Sequence, residues 1–94
     1  MDEDLLKNEI CSHYDEVVQL RRDFHRHPEL GTKEHRTAAK VEEYLNGIGI
    51  PTHRVSGTGV VGLIRGAKPG KTILLRADMD ALPVLEQTGL EFAS

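Results

Sequence analysis

The stretch Thr72-Ile73-Leu74-Leu75-Arg76-Ala77-Asp78-Met79-Asp80-Ala81-Leu82-Pro83 carries the pattern on which the fold reading turns. Its apolar run, Ile73-Leu74-Leu75, is continuous rather than alternating, which predicts a strand covered on both faces by helices. Asp78 and Asp80 then leave the carboxyl end of that strand, where open α/β sheets collect their ligands. In extended chain, residues two apart project to the same side, so both carboxylates reach one site. Carboxylates bind hard cations directly, and they orient a histidine ligand by accepting its free N–H. A purely structural alternative pairs Asp78 with Arg76, or uses Asp80 to cap the following turn. The cost of leaving unpaired carboxylates at the end of a buried strand favours the functional reading.

Working outward, residues 60–65 form a second β-rich run, joined to residues 72–77 through Gly66-Ala67-Lys68-Pro69-Gly70. A short connection rich in Gly and Pro predicts an antiparallel hairpin of these two runs. Upstream, Leu6, Ile10, Tyr14, Val17, Leu20 and Phe24 recur every three or four residues, the stripe of one amphipathic helix over residues 4–27. Asp2, Glu3 and Asp4 crowd its start; Arg21, Arg22, Arg26 and His27 crowd its end, in keeping with the helix dipole. Pro28 stops it. A second helix is expected from Thr32 as N-cap, with Ala38, Val41, Leu45 and Ile48 on one face and Gly47 and Gly49 to close it. Pro51 opens an extended segment through Val55. The fold class is α/β, helices packed on a small mixed sheet.

Composition bounds the rest. The chain has 94 residues, 29% charged and 38% apolar, with 15 acids against 12 bases for a net charge of −3. Scaling of surface with mass predicts that about 64% of the unfolded surface is buried in one modest compact unit. No basic excess points to nucleic acid, and no apolar run reaches membrane-spanning length. Cys11 is the only cysteine, which excludes an internally stapled scaffold. The acidic start is unlike a secretory or organellar leader, so a cytoplasmic location is expected.

Two further motifs need weighing. Gly57-Thr58-Gly59-Val60-Val61-Gly62 matches G-x-G-x-x-G, with Asp80 roughly 20 residues on, as in a dinucleotide site. That site requires a helix to open at the last glycine. Gly66 and Pro69 follow too soon for one, so the motif reads as a bend leading into a strand. His25-Arg26-His27-Pro28-Glu29-Leu30-Gly31 holds two imidazoles and a carboxylate. Residues two apart on a helix diverge by about 200°, so His25 and His27 do not share an ion unless the helix has unwound. His27 reads as a C-terminal cap, with Glu29 or Arg22 fixing the turn. His13, His35 and His53 read as isolated surface residues.

Leu20-Arg21-Arg22-Asp23-Phe24-His25-Arg26-His27-Pro28-Glu29-Leu30-Gly31, followed by Glu34-His35-Arg36-Thr37-Ala38, resembles the opening of the M20 metallopeptidase family. The likeness lies with its amidohydrolase branch, which includes hippurate and indole-acetyl-amino-acid hydrolases. The motifs at residues 57–62, at residues 75–83 and at Glu86-Gln87-Thr88-Gly89-Leu90 continue it in order. The resemblance implies the N-terminal part of a zinc-aminopeptidase-like catalytic domain, and an enzyme that cleaves the amide bond of N-acyl amino acids. It implies two divalent ions, zinc or manganese, that activate water, with a glutamate as general base. Asp80 falls at the position that orients a metal-bound histidine. Asp78 stands where many relatives carry a histidine ligand, as it does in the amidohydrolase branch, and it is not assigned as a ligand.

The family's next motif, a cysteine–glycine–histidine–aspartate stretch that supplies metal ligands, would follow shortly after Ser94, with the dimerisation domain further on. The expectation is therefore a fragment, residues 1–94, that binds no metal itself and is inactive alone. A homo-oligomer is compatible with the resemblance. Two other classes stand beside it: a non-enzymatic partner-binding fragment, and a small nucleotide-binding module built on residues 57–62.

Overall fold

A computed structural model describes residues 3–83 and 87–90. Asp2, Glu86 and Ser94, which figure in the sequence reading, lie outside the described residues. The element order is α1 (Glu3–Ser12), α2 (Tyr14–Arg26), α3 (His35–Gly47), β1 (Thr52–Val55) and β2 (Gly59–Gly62), an α/β chain. The chain divides into two compact units, one carrying α1 and α2, and a second, Glu29–Pro83, carrying α3 and the sheet.

In the first unit, the helix expected over residues 4–27 is broken at His13 into α1 and α2. The His13 amide donates to Ile10 O at 3.1 Å, a tightened turn in place of the regular ladder. The His13 ring sits 3.3 Å from the carboxylates of both Glu9 and Glu16, one from each helix, and so clasps the break. No residue of α1 or α2 is buried, and Leu6, Ile10, Tyr14 and Val17 stay exposed along the predicted stripe. The periodicity was sufficient to specify helix but not a partner for its apolar face. His27 is the C-cap of α2, as expected, with its amide donating to Phe24 O and its Nδ1 3.0 Å from Asp23 O.

In the second unit, α3 starts two residues later than Thr32 as N-cap would place it, and Glu34 is its N-cap residue. Thr32 has φ +68°, outside the extended conformation an N-cap requires, so its side chain does not serve the helix. The far end of α3 forms a Schellman closure: Ile50 N donates to Leu45 O at 2.9 Å and Gly49 N to Asn46 O at 3.1 Å. Gly49 takes φ +84°, as the sequence predicted for this position.

The extended segment after Pro51 is β1, and its partner comes from the run expected to pair with residues 72–77. β1 pairs antiparallel with β2, in the register Thr52↔Gly62, His53↔Val61, Arg54↔Val60 and Val55↔Gly59. The turn works because Ser56 (φ +50°) and Gly57 (φ +87°) both enter the left-handed region. Gly59 is demanded by the pairing: a Cβ there would lie 2.7 Å from Val55 O. Helix α3 lies against this hairpin, with the Leu45 and Ile50 side chains beside Gly62. Arg54 bonds Glu42 at 2.6 Å across to α3, and Thr52 Oγ1 donates to Asn46 Oδ1 at 3.2 Å. Ala38 is the only buried apolar residue among those described.

The strand expected at residues 72–77, and its hairpin with residues 60–65, do not form. Residues 63–83 contain neither helix nor strand, and Ile73, Leu74 and Leu75 are 84%, 86% and 91% exposed. An apolar run gains from burial only where a ladder and covering side chains exist. β2 is four residues long with glycine at each end and pairs with β1, and the run stays outside that ladder. The predicted buried strand ahead of Asp78 and Asp80 is thus an exposed, irregular segment.

Candidate functional site

Asp78 and Asp80 emerge from this irregular segment, and both are exposed. Arg76 Nη2 lies 2.7 Å from Asp78 Oδ1, the pairing that the structural alternative foresaw. The pair is open to solvent and contributes little to stability. With the segment exposed, the desolvation cost that had favoured a functional reading does not arise for either carboxylate.

Asp80 is set differently. Immediately after it, Ala81 N donates to the main-chain oxygen of Glu29 at 2.7 Å. On the same turn, Gly31 stands beside the Asp80 carboxylate: a Cβ on Gly31 would lie 3.7 Å from Asp80 Oδ2 and 4.0 Å from its Cβ. The structure therefore brings the histidine–proline–glutamate turn and the aspartate motif together, although Gly31 and Asp80 lie 49 positions apart. Sequence reasoning had not joined them.

Glu29 does not fix the end of α2, the role considered for it. Its carboxylate reaches forward to the N-terminus of α3, where Oε2 accepts from Arg36 N at 3.0 Å and Oε1 from Thr37 N at 2.5 Å. These are the amides a helix leaves unsatisfied, and a carboxylate there complements the dipole. Partial desolvation pushes the Glu29 carboxyl upward. The Arg36 and Thr37 hydrogen bonds, with the nearby His35, outweigh it and hold the group below its ordinary value. Glu34 completes the corner: it is 9% exposed, accepts from Thr58 Oγ1 at 3.3 Å, and leaves Oε1 without a hydrogen-bond partner. The signal for both glutamates was a carboxylate placed shortly before a helix that lacks its own side-chain cap.

Thr58, buried against Glu34, belongs to the glycine motif, and β2 follows it directly. No helix follows Gly62 among the described residues, so the phosphate-binding context is missing. Nor do three His, Cys, Asp or Glu side chains converge anywhere among the described residues. The described side chains thus do not fit a two-ion centre. Cys11 is exposed on α1. No helix among the described residues is long and apolar enough to cross a membrane.

No family model matches the chain, and no solved structure matches it. Curated relatives do. It is similar to thermostable carboxypeptidase 1 of Saccharolobus solfataricus, 52% identical over 91 residues, 95% of this chain and 23% of the relative. It is similar to the N-acetylcysteine deacetylase of Bacillus subtilis, 42% identical over 83 residues, 83% of this chain and 21% of the relative. It is also similar to the N-acyl-L-amino acid amidohydrolase of Geobacillus stearothermophilus, 42% identical over 80 residues, 84% and 22% respectively. The chain spans about a fifth to a quarter of the length of these relatives. Over nearly all of its own length, then, it is a homologue of the hydrolases named carboxypeptidase, amidohydrolase and N-acetyl-amino-acid deacetylase.

Proposed function

We propose that the chain is part of a metal-dependent amidohydrolase of the M20 type, cleaving the amide bond of N-acyl amino acids, with Asp80 as a supporting carboxylate. The observation that carries this reading is identity of 42–52%, across most of the chain, to relatives named for deacetylation, amide hydrolysis or peptide cleavage. Asp80 supports it further, as an exposed carboxylate whose backbone is held by the bond from Ala81. Such a carboxylate accepts the free N–H of a histidine and thereby fixes its tautomer and orientation. Zinc or manganese, in this reading, is held by groups other than the described side chains, and the chain alone is inactive. Asp78, paired with Arg76, is the weaker of the two candidates.

The test is a graft, in which this chain replaces the matching 91 residues of the Saccharolobus carboxypeptidase. The graft, loaded with zinc or manganese, is expected to hydrolyse N-acetyl or N-benzoyl amino acids. Asp80→Asn should lower its activity by about 10- to 100-fold. Asp78→Asn should cost less. Turnover by the 94-residue chain alone, or a graft indifferent to Asp80→Asn, overturns the proposal.

A second reading is a non-enzymatic, partner-binding role, favoured by the exposed Ile73, Leu74 and Leu75. A graft that folds yet hydrolyses nothing, together with co-purification of a larger relative, would select it.

A further inference from the structure

We propose that the turn Glu29-Leu30-Gly31 is the positioning element of the Asp80 carboxylate, with Glu29 acting through its main-chain carbonyl and Gly31 through the room it leaves. The role given to Asp80 rests on the function proposed above; the placement of its carboxylate stands on geometry alone. Residues 63–83 have no ladder to hold them, so the position of Asp80 depends on whatever grips the chain near it. The bond from Ala81 N to Glu29 O, at 2.7 Å, is such a grip, one residue past Asp80.

A carbonyl positions a neighbour only if it is itself fixed. Glu29 meets that condition with its own side chain, because its two carboxylate oxygens take the Arg36 and Thr37 amides at the start of α3. One residue therefore ties a helix terminus, through its side chain, to the aspartate segment, through its backbone. Gly31 adds the steric half. A methyl group at Gly31 would meet Asp80 Oδ2 at 3.7 Å, ordinary contact, so the carboxylate lies within reach of a side chain that extends beyond Cβ. Glu29 and Gly31 are thus positioning residues. Neither is assigned contact with a substrate.

The experiment uses the 94-residue chain labelled with 13C and 15N and carrying Leu74→Glu throughout, the change that suppresses association through the exposed apolar run. Two signals are followed, the chemical shift of the Asp80 carboxyl carbon and the exchange rate of the Ala81 amide, with the Ala38 amide in α3 reporting on the fold. Gly31→Val is expected to move the Asp80 carboxyl-carbon signal and to speed Ala81 exchange by about tenfold, while Ala38 stays protected. Gly31→Ala should behave like the unaltered chain. Glu29→Gln, which keeps the carbonyl but weakens its anchor, should speed Ala81 exchange and move the Asp80 signal in a chain that keeps α3. If Gly31→Val strips Ala38 of protection, Glu29→Gln decides the matter. Wild-type values for Asp80 and Ala81 in Glu29→Gln overturn the proposal. An Asp80→Asn graft with full activity removes instead the role assigned to Asp80, a separate outcome read in a separate assay.

Discussion

Glu29 shows how one side chain acquires meaning only from what it reaches. In sequence it follows His27-Pro28 and reads as part of a helix stop; in the structure it serves the next helix. Its carboxyl is held below the ordinary value of 4.5, so the ionised form stabilises the folded state at every pH above about 4.5. That stabilisation is lost as the pH falls through the folded value. The protection of the Arg36 and Thr37 amides, taken relative to their intrinsic exchange rates, should therefore fall selectively as the pH drops below 4.5, and Glu29→Gln should remove that selective loss. Gly59 is a sharper case. A methyl there meets Val55 O at 2.7 Å, a backbone atom that cannot swing aside. Gly59→Ala should destabilise the β1–β2 unit by about 1–3 kcal/mol, measured as a lowered urea midpoint. The glycine motif is thus explained by strand pairing, with no ligand required.

Among the elements, the most informative difference is the break between α1 and α2. The apolar spacing runs through it without interruption, and nothing in the periodicity marks His13. The ring lies between Glu9 and Glu16, whose hydrogen bonds raise its pKa above the ordinary 6.5 against a small opposing effect of burial. A raised histidine stabilises most when protonated. Its contribution is full below pH 6.5 and is lost as the pH rises through the folded value. The helical signal of α1 and α2 in circular dichroism is expected to fall modestly as the pH is raised past neutrality, and His13→Ala should flatten that dependence. The β elements teach a related lesson. Residues 60–65 and 72–77 have the composition of a hairpin, yet among the described residues β2 pairs with β1, across the short and local Ser56-Gly57 turn.

Across the whole chain, apolar surface is poorly covered among the described residues. Ala38 alone is a buried apolar residue, while Ile64, Ile73, Leu74 and Leu75 are 75–91% exposed. Exposed runs of this kind are association sites. The 94-residue chain is expected to be marginally stable, to bind a hydrophobic dye, and to self-associate in sedimentation velocity at micromolar concentration. Leu74→Glu should reduce both dye binding and association; an unaltered chain that stays monomeric and melts cooperatively would contradict this. Local chemistry had already fixed the helical character of residues 4–27, though not the break at His13, along with the stop before Pro28, the Schellman glycine after α3, the extended segment after Pro51 and the kinship with amidohydrolases, because propensity, capping and motif identity act over a few neighbouring residues. Tertiary structure decided the strand partner, the exposure of Leu74, the forward reach of Glu29 and the meeting of Gly31 with Asp80. Those depend on which distant groups compete for the same amide or the same space, and no window of sequence contains both competitors.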